Sequence, residues 1–139
     1  MTSAVPQPVI RVMQTWLALE HEAVWLQPVI GARFDALSDR ARRSYASHLS
    51  TRDRLIVRLV AAGATPVATA ISYALGPLTK PAQATAEALR LEESISATCL
   101  MLAGITSGRE RTFATAELRR SALAALMWGA KPEAFPGLP

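Results

Sequence analysis

A chain of 139 residues is long enough for one core that buries roughly two-thirds of the surface its unfolded form exposes, and it needs no second domain. Half of the residues are hydrophobic but only 6% are aromatic, so the apolar content is largely Ala, Leu and Val, which favours helices over strands. The +4 net charge comes almost wholly from arginine, and the single Cys99 excludes an intramolecular disulfide and a cysteine-based zinc site.

The opening MTSAVPQPVIRV lacks a basic segment followed by a long apolar core, so no signal peptide is expected. The longest uncharged run, Leu59 to Thr79, is broken by Gly63, Pro66, Gly76 and Pro77, which argues against a membrane span. A cytoplasmic protein with a buried, inert Cys99 thiol is the expectation.

Helical periodicity then divides the chain into four. The first helix is predicted from about Pro8 to Arg33, with Val9, Met13, Trp16, Glu20, Val24 and Gln27 on one stripe and with Pro28 and Gly31 bending or ending it. Ser38 is the predicted N-cap of a second helix over about 39–62, closed by Gly63, with Ala41, Tyr45, His48, Leu55 and Leu59 inward. From Ala64 to Lys80 no stripe is visible, and the segment is long for a connection in a compact domain. A third helix is predicted over 81–103, carrying Ala88, Glu92, Ile95, Cys99 and Leu102 before Gly104. The fourth is predicted over 109–128, with Phe113, Glu117, Arg120, Ala124 and Met127 inward, a Ser107-Gly108 cap, and Gly129 and Pro132 as its stop.

Two short connections join antiparallel neighbours, whereas the long one spans a helix length, about 35 Å for some two dozen residues. The expected fold is therefore all-α: a four-helix bundle of two antiparallel hairpins joined by one long crossover, which is ferritin-like topology.

Each predicted stripe carries an ionisable group near its middle. A ferritin-like di-iron site takes a Glu from each of two helices and a Glu-x-x-His pair from each of the others. Here the corresponding positions hold Glu20, Tyr45-x-x-His48, Glu92 and Glu117-x-x-Arg120. Glu20, His48, Glu92 and Glu117 are ligand types; Tyr45 replaces a carboxylate, and Arg120, a permanent cation, replaces an imidazole and would repel a divalent ion. A metal-free buried polar network of Glu20, Tyr45, His48, Glu92, Glu117 and Arg120 is the favoured expectation, with no cofactor. Iron or manganese held by Glu20, His48, Glu92 and Glu117, in a ferritin-like oxidase or hydroxylase, is the alternative.

EHEAVW in the first helix, YASHLSTRDRL in the second, YALGPLTKPAQA in the crossover and the terminal WGAKPEAFPGLP resemble the actinobacterial ferritin-like family catalogued as domain of unknown function 4439. The resemblance covers nearly the whole chain. It implies a ferritin-like four-helix fold, a dimer, and no established activity.

There is no phosphate-binding glycine loop, no paired-cysteine pattern and no nucleophile elbow, so a non-catalytic binding or assembly role is expected rather than an enzyme. His21 is expected at the bundle's edge or a subunit contact. Arg43, Arg54 and Arg58 are placed on one flank with Arg111 and Arg119, where phosphates of a nucleic acid or ribosome would sit. The interspersed Asp35, Asp39 and Asp53 and the lack of aromatic residues for base stacking favour a plain solvated surface instead. A second apolar row on the first helix, Val12, Leu19 and Leu26 with Trp25 and Ile30, points either to a homodimer contact or protein partner or to a surface covered by the crossover around Ile71 and Tyr73. No membrane partner is expected.

Overall fold

The computed structural model describes residues 3–139; Met1 and Thr2, which open the N-terminal stretch read above, lie outside it. The chain forms an all-α four-helix bundle of α1 (Gln7–Arg33), α2 (Ser38–Ala61), α3 (Pro81–Ile105) and α4 (Gly108–Met127). Among the described residues no helix is long and apolar enough to cross a membrane.

Pro8 lies in the first turn of α1, where its missing N–H is not needed. Pro28 does not end the helix, which continues to Arg33. The lost hydrogen bond is confined to one carbonyl, while Leu26, Gln27 and Ile30 on either side are buried and hold the backbone. Gly31 does not stop the helix either, and a Cβ there would meet that of Ala41 on α2 at an ordinary contact distance of 3.6 Å.

Ser38 makes no capping hydrogen bond; it is the first residue of α2, which is entered from a 3-10 turn at Asp35–Leu37. At the other end Gly63 takes the left-handed conformation (φ 77°), and Ala64 N–H reaches back to Leu59 O at 2.9 Å. The start of α3 is fixed by Gln83, whose Oε1 accepts the N–H groups of Thr79 and Lys80. Gly104 does not stop α3, which runs to Ile105.

The crossover, residues 62–80, runs along α1 in the same direction as that helix. Gln14 Nε2 donates to Thr65 O and Gln14 Oε1 accepts from Val67 N–H, both at 2.7 Å. Further on, Tyr73 packs on Trp25 and Arg33 donates to Leu78 O. The crossover therefore returns the chain to the far end of α1, so that α3 runs antiparallel to α1. The second apolar row of α1 is covered: Leu26 and Ile30 are fully buried, and Val12 and Leu19 pack on the core. Ile71 takes no part in this cover, being fully exposed.

The core has two apolar halves. Met13, Trp16, Leu55, Leu59, Ile95, Leu102 and Phe113 fill one. Leu26, Ile30, Leu78, Leu91 and Trp128 fill the other. Between them, on every helix, lie the charged residues. The backbones of α1 and α2, α3 and α4, and α1 and α3 pack closely, whereas α2 and α4 stand further apart. Long charged side chains span that wider side.

Candidate functional site

Glu20, His48 and Glu92 are each no more than 1% exposed, and helix geometry sets them at one level of the bundle. His48 lies between the two carboxylates, with Nδ1 2.6 Å from Glu20 Oε2 and Nε2 2.8 Å from Glu92 Oε1. The first is a directed hydrogen bond; the second is a short ion-pair contact off the N–H direction. Both ring nitrogens face acceptors, so the ring is an imidazolium with both protons in place. Burial works against that charge, but the hydrogen bonds and negative charges of Glu20 and Glu92 outweigh it and raise the His48 pKa from 6.5 to about 9.

Trp16, one turn before Glu20, donates Nε1–H to Glu20 Oε1 at 2.8 Å. Ser121 donates its hydroxyl to Glu92 Oε2 at 2.6 Å. On the wider side of the bundle, Glu117 receives Arg120 Nε and Arg54 Nη2, each at 2.6 Å, and the Thr51 hydroxyl at 3.0 Å. Burial alone would raise the Glu117 pKa, but Arg120 and Arg54 hold it below the usual carboxylate range. Arg120 also donates to Ser47 Oγ at 2.9 Å, and its Nη2 lies 3.8 Å from Glu20 Oε1.

Three carboxylates, Glu20, Glu92 and Glu117, thus meet three cations, His48, Arg54 and Arg120, and their formal charges cancel. Every carboxylate has a cationic neighbour, which is the condition for placing such groups inside a core. Cys99 is fully buried beside this layer; burial and the negative charges of Glu20 and Glu117 push its thiol pKa well up, so it stays protonated and unreactive.

Tyr45 is not part of the network. It is half-buried on α2 and makes no hydrogen bond to the other members, because three residues before His48 it lies about 60° round the helix from that residue. Ser47 and Thr51 supply the α2 hydroxyls instead. The residues that sequence reasoning missed are neutral: Trp16, Thr51 and Ser121 donate to the carboxylates, and Ser47 accepts from Arg120. Only their spacing of three or four residues from a buried charge marks Trp16, Thr51 and Ser121.

The arginine flank is not assembled as expected. Arg54 and Arg58 face α4, but each is paired with a carboxylate, Arg58 with Glu110 at 2.8 Å, and Arg58 also lies 3.9 Å above the Phe113 ring. Arg111 donates to Ala103 O at the end of α3, and Arg119 lies on the other side of α4, in the groove shared with α3. Arg43 is on α2 at the mouth of a small cleft between α2 and α4. His21 is held by the crossover, with Nε2 3.0 Å from Val67 O.

Among the described residues, no group of three His, Cys, Asp or Glu side chains has a metal-holding arrangement. Both nitrogens of His48 are taken by carboxylates, and Arg120 reaches into the space between Glu20 and Glu117. That donor set does not fit a pair of divalent ions.

A four-helix bundle with a charge-balanced layer across its core is the class of protein that these features define. The family model described as "Domain of unknown function (DUF4439)" matches residues 12–139, and the chain belongs to that family. In fold it is similar to the crystal structure of a conserved hypothetical protein from Mycobacterium tuberculosis, with a TM-score of 0.81, 23% identity, and coverage of 89% of this chain and 97% of that one. No curated protein matches the chain.

Proposed function

We propose that this protein is a cytoplasmic, ferritin-like bundle in which a self-neutralised ionic layer stands where relatives of that fold carry di-iron, and that it acts by binding and assembly rather than by catalysis. The observation that carries this reading is the commitment of Arg120 and both nitrogens of His48 to Glu20, Glu92 and Glu117. A divalent ion entering here would have to displace a guanidinium and an imidazolium that already neutralise those carboxylates.

The assembly half of the proposal rests on the outer face of α3 and α4. A groove of about 1280 Å³ runs between these helices and the C-terminal tail. Met101, Leu123, Leu126 and Leu138 on this face are 40 to 59% exposed. Glu93 and Glu133 line the groove together with Arg119 and Lys131, so its polar groups carry both signs. Such a face is self-complementary, as a two-fold dimer contact requires, and its occupant is a second copy of this chain.

The test is metal content per chain by mass spectrometry, on protein grown with added iron and manganese and purified without chelator, together with thermal melting with and without chelator. The expected outcome is a colourless, metal-free dimer whose melting is unchanged by chelator. Near-stoichiometric iron or manganese that disappears in Glu20→Ala, with a chelator-sensitive melt, overturns the proposal.

A further inference from the structure

Beyond α4 the chain turns back, and residues 130–139 lie along the groove between α3 and α4, which most of them help to line. One contact fixes their place. Gly137 has a left-handed backbone (φ 89°), and a Cβ there would stand 2.7 Å from the carbonyl oxygen of Ser96 on α3, so this seat admits only glycine. Pro132, Pro136 and Pro139 restrict the backbone around it.

The position of the tail is thus specified, yet its own chain gains little from it. Among the described residues, the hydrogen bond made within 131–139 runs from Leu138 N–H to Phe135 O, inside the tail, and none reaches the helices. Phe135 is 72% exposed, the largest apolar side chain of the segment. Its neighbours Pro132, Glu133, Pro136 and Leu138 line the groove, whereas Phe135 does not and stands at the rim. The charges nearby are also uncommitted. Arg90 is held by Glu22 and Glu87, but the other charged residues of the groove, Glu93, Arg119, Lys131 and Glu133, have no ion-pair partner among the described residues.

We propose that Phe135 is the anchor of the two-fold contact between copies of this chain: each tail, seated on its own α3, inserts the ring between α3 and α4 of the partner. An aromatic side chain that fills an apolar groove is the usual energetic centre of an interface, and a segment stiffened by proline loses little freedom on docking. Two acidic and two basic groups on one face pair with their opposites across a two-fold axis, which sets the register of the contact. The anchor presupposes the dimer of the proposed function, so both are measured.

Light scattering gives the state of the parent chain, and sedimentation velocity over a dilution series gives its dissociation constant. Phe135→Ala is expected to raise that constant about thirtyfold or more, and Gly137→Ala, which pushes the tail off its seat, about tenfold or more. Val57→Ala, at a similarly exposed apolar residue of α2, should leave it within about twofold. No hydrogen bond joins the tail to the helices, so the tail variants keep the fold, which circular dichroism checks. In dimers assembled from isotope-labelled and unlabelled chains, the photocrosslinker p-benzoylphenylalanine at position 135 should join the two chains at a peptide of the partner's α3 or α4. A dimer that is not weakened by Phe135→Ala or by Gly137→Ala, that is weakened equally by Val57→Ala, or that crosslinks elsewhere overturns the anchor and leaves the dimer standing. A parent chain that stays monomeric at millimolar concentration overturns the assembly reading itself.

Discussion

At mid-height inside the bundle Glu20, His48 and Glu92 are at most 1% exposed, whereas on its outer face Met101 and Leu123 are 59% and 58% exposed. Polarity is thus inverted in two places, and α4 contributes to both, with Glu117 and Ser121 turned inward and Leu123 and Leu126 outward. The inner layer is satisfied within the chain, by six charges that cancel and by neutral donors around them. The outer face is not, since nothing in one chain covers it. The first region therefore governs folding, the second is the face on which the proposed dimer rests, and the two are expected to respond to different substitutions.

The largest effect is expected from the inner layer. His48→Gln leaves Glu20 and Glu92 facing each other across the core without the cation between them, and removing one partner of a buried ionic set costs about 3–5 kcal/mol. Urea unfolding at pH 7 measures this. A loss below about 1 kcal/mol would mean that the layer contributes no more than a surface pair, and the comparison would fail.

The same ring gives the bundle an alkaline limit. Its folded pKa of about 9 lies above the unfolded 6.5, so its contribution is complete below 6.5 and is lost as pH rises through 9. A shift of that size corresponds to about 3 kcal/mol. Glu117, whose folded pKa is lowered from 4.5, acts in the opposite sense and stabilises above that value, with loss as the pH falls below it. Stability should therefore form a plateau from about pH 5 to 7 and decline on both sides. The alkaline decline should be absent in His48→Gln; its persistence there would assign it to another group.

These expectations show what the sequence made legible. Glu20, His48, Glu92 and Glu117 stand out because charge on an otherwise apolar stripe is rare and helical spacing fixes its direction. Their neutral partners do not stand out, because Ser, Thr and Trp occur on helices for many reasons. Thr51 and Ser121 become informative only once Glu117 and Glu92 are seen across the bundle. Tyr45 was misplaced because a three-residue step is a coarse measure of direction, and an aromatic ring is comfortable at a half-buried edge. The arginine flank failed for a different reason: spacing places side chains on a helix but does not show the carboxylate opposite, and Arg54 and Arg58 each meet one. The crossover had no periodicity to read, since Gln14, His21, Trp25 and Arg33, all on another helix, hold it in place.

On the outer face the expected order of effects reverses. Leu123→Glu replaces an exposed side chain, so it should change chain stability by no more than about 0.5 kcal/mol. Placed at a two-fold contact, it introduces two like charges and should convert a dimer to monomer. Light scattering coupled to size-exclusion chromatography reads the change. A dimer that survives both Leu123→Glu and Met101→Glu places the contact elsewhere.

The smallest effect sharpens the boundary of the inner layer. Arg54 reaches Glu117 at 2.6 Å with its own side chain half exposed, and it also lies over the Phe113 ring at 5.5 Å, whereas Arg52 pairs only with Asp53, its exposed neighbour in the chain. Glu117 keeps Arg120 and Thr51 when Arg54 is removed, so its carboxylate is never left alone in the core. Arg54→Ala should therefore cost about 1 kcal/mol, and Arg52→Ala nothing measurable. In a double-mutant cycle with Thr51→Val, the Arg54 effect should grow, because Glu117 then has only Arg120 to fall back on. Strict additivity would show that Arg54 acts through Phe113 and its aliphatic stem alone, and the charged layer would then end at Arg120.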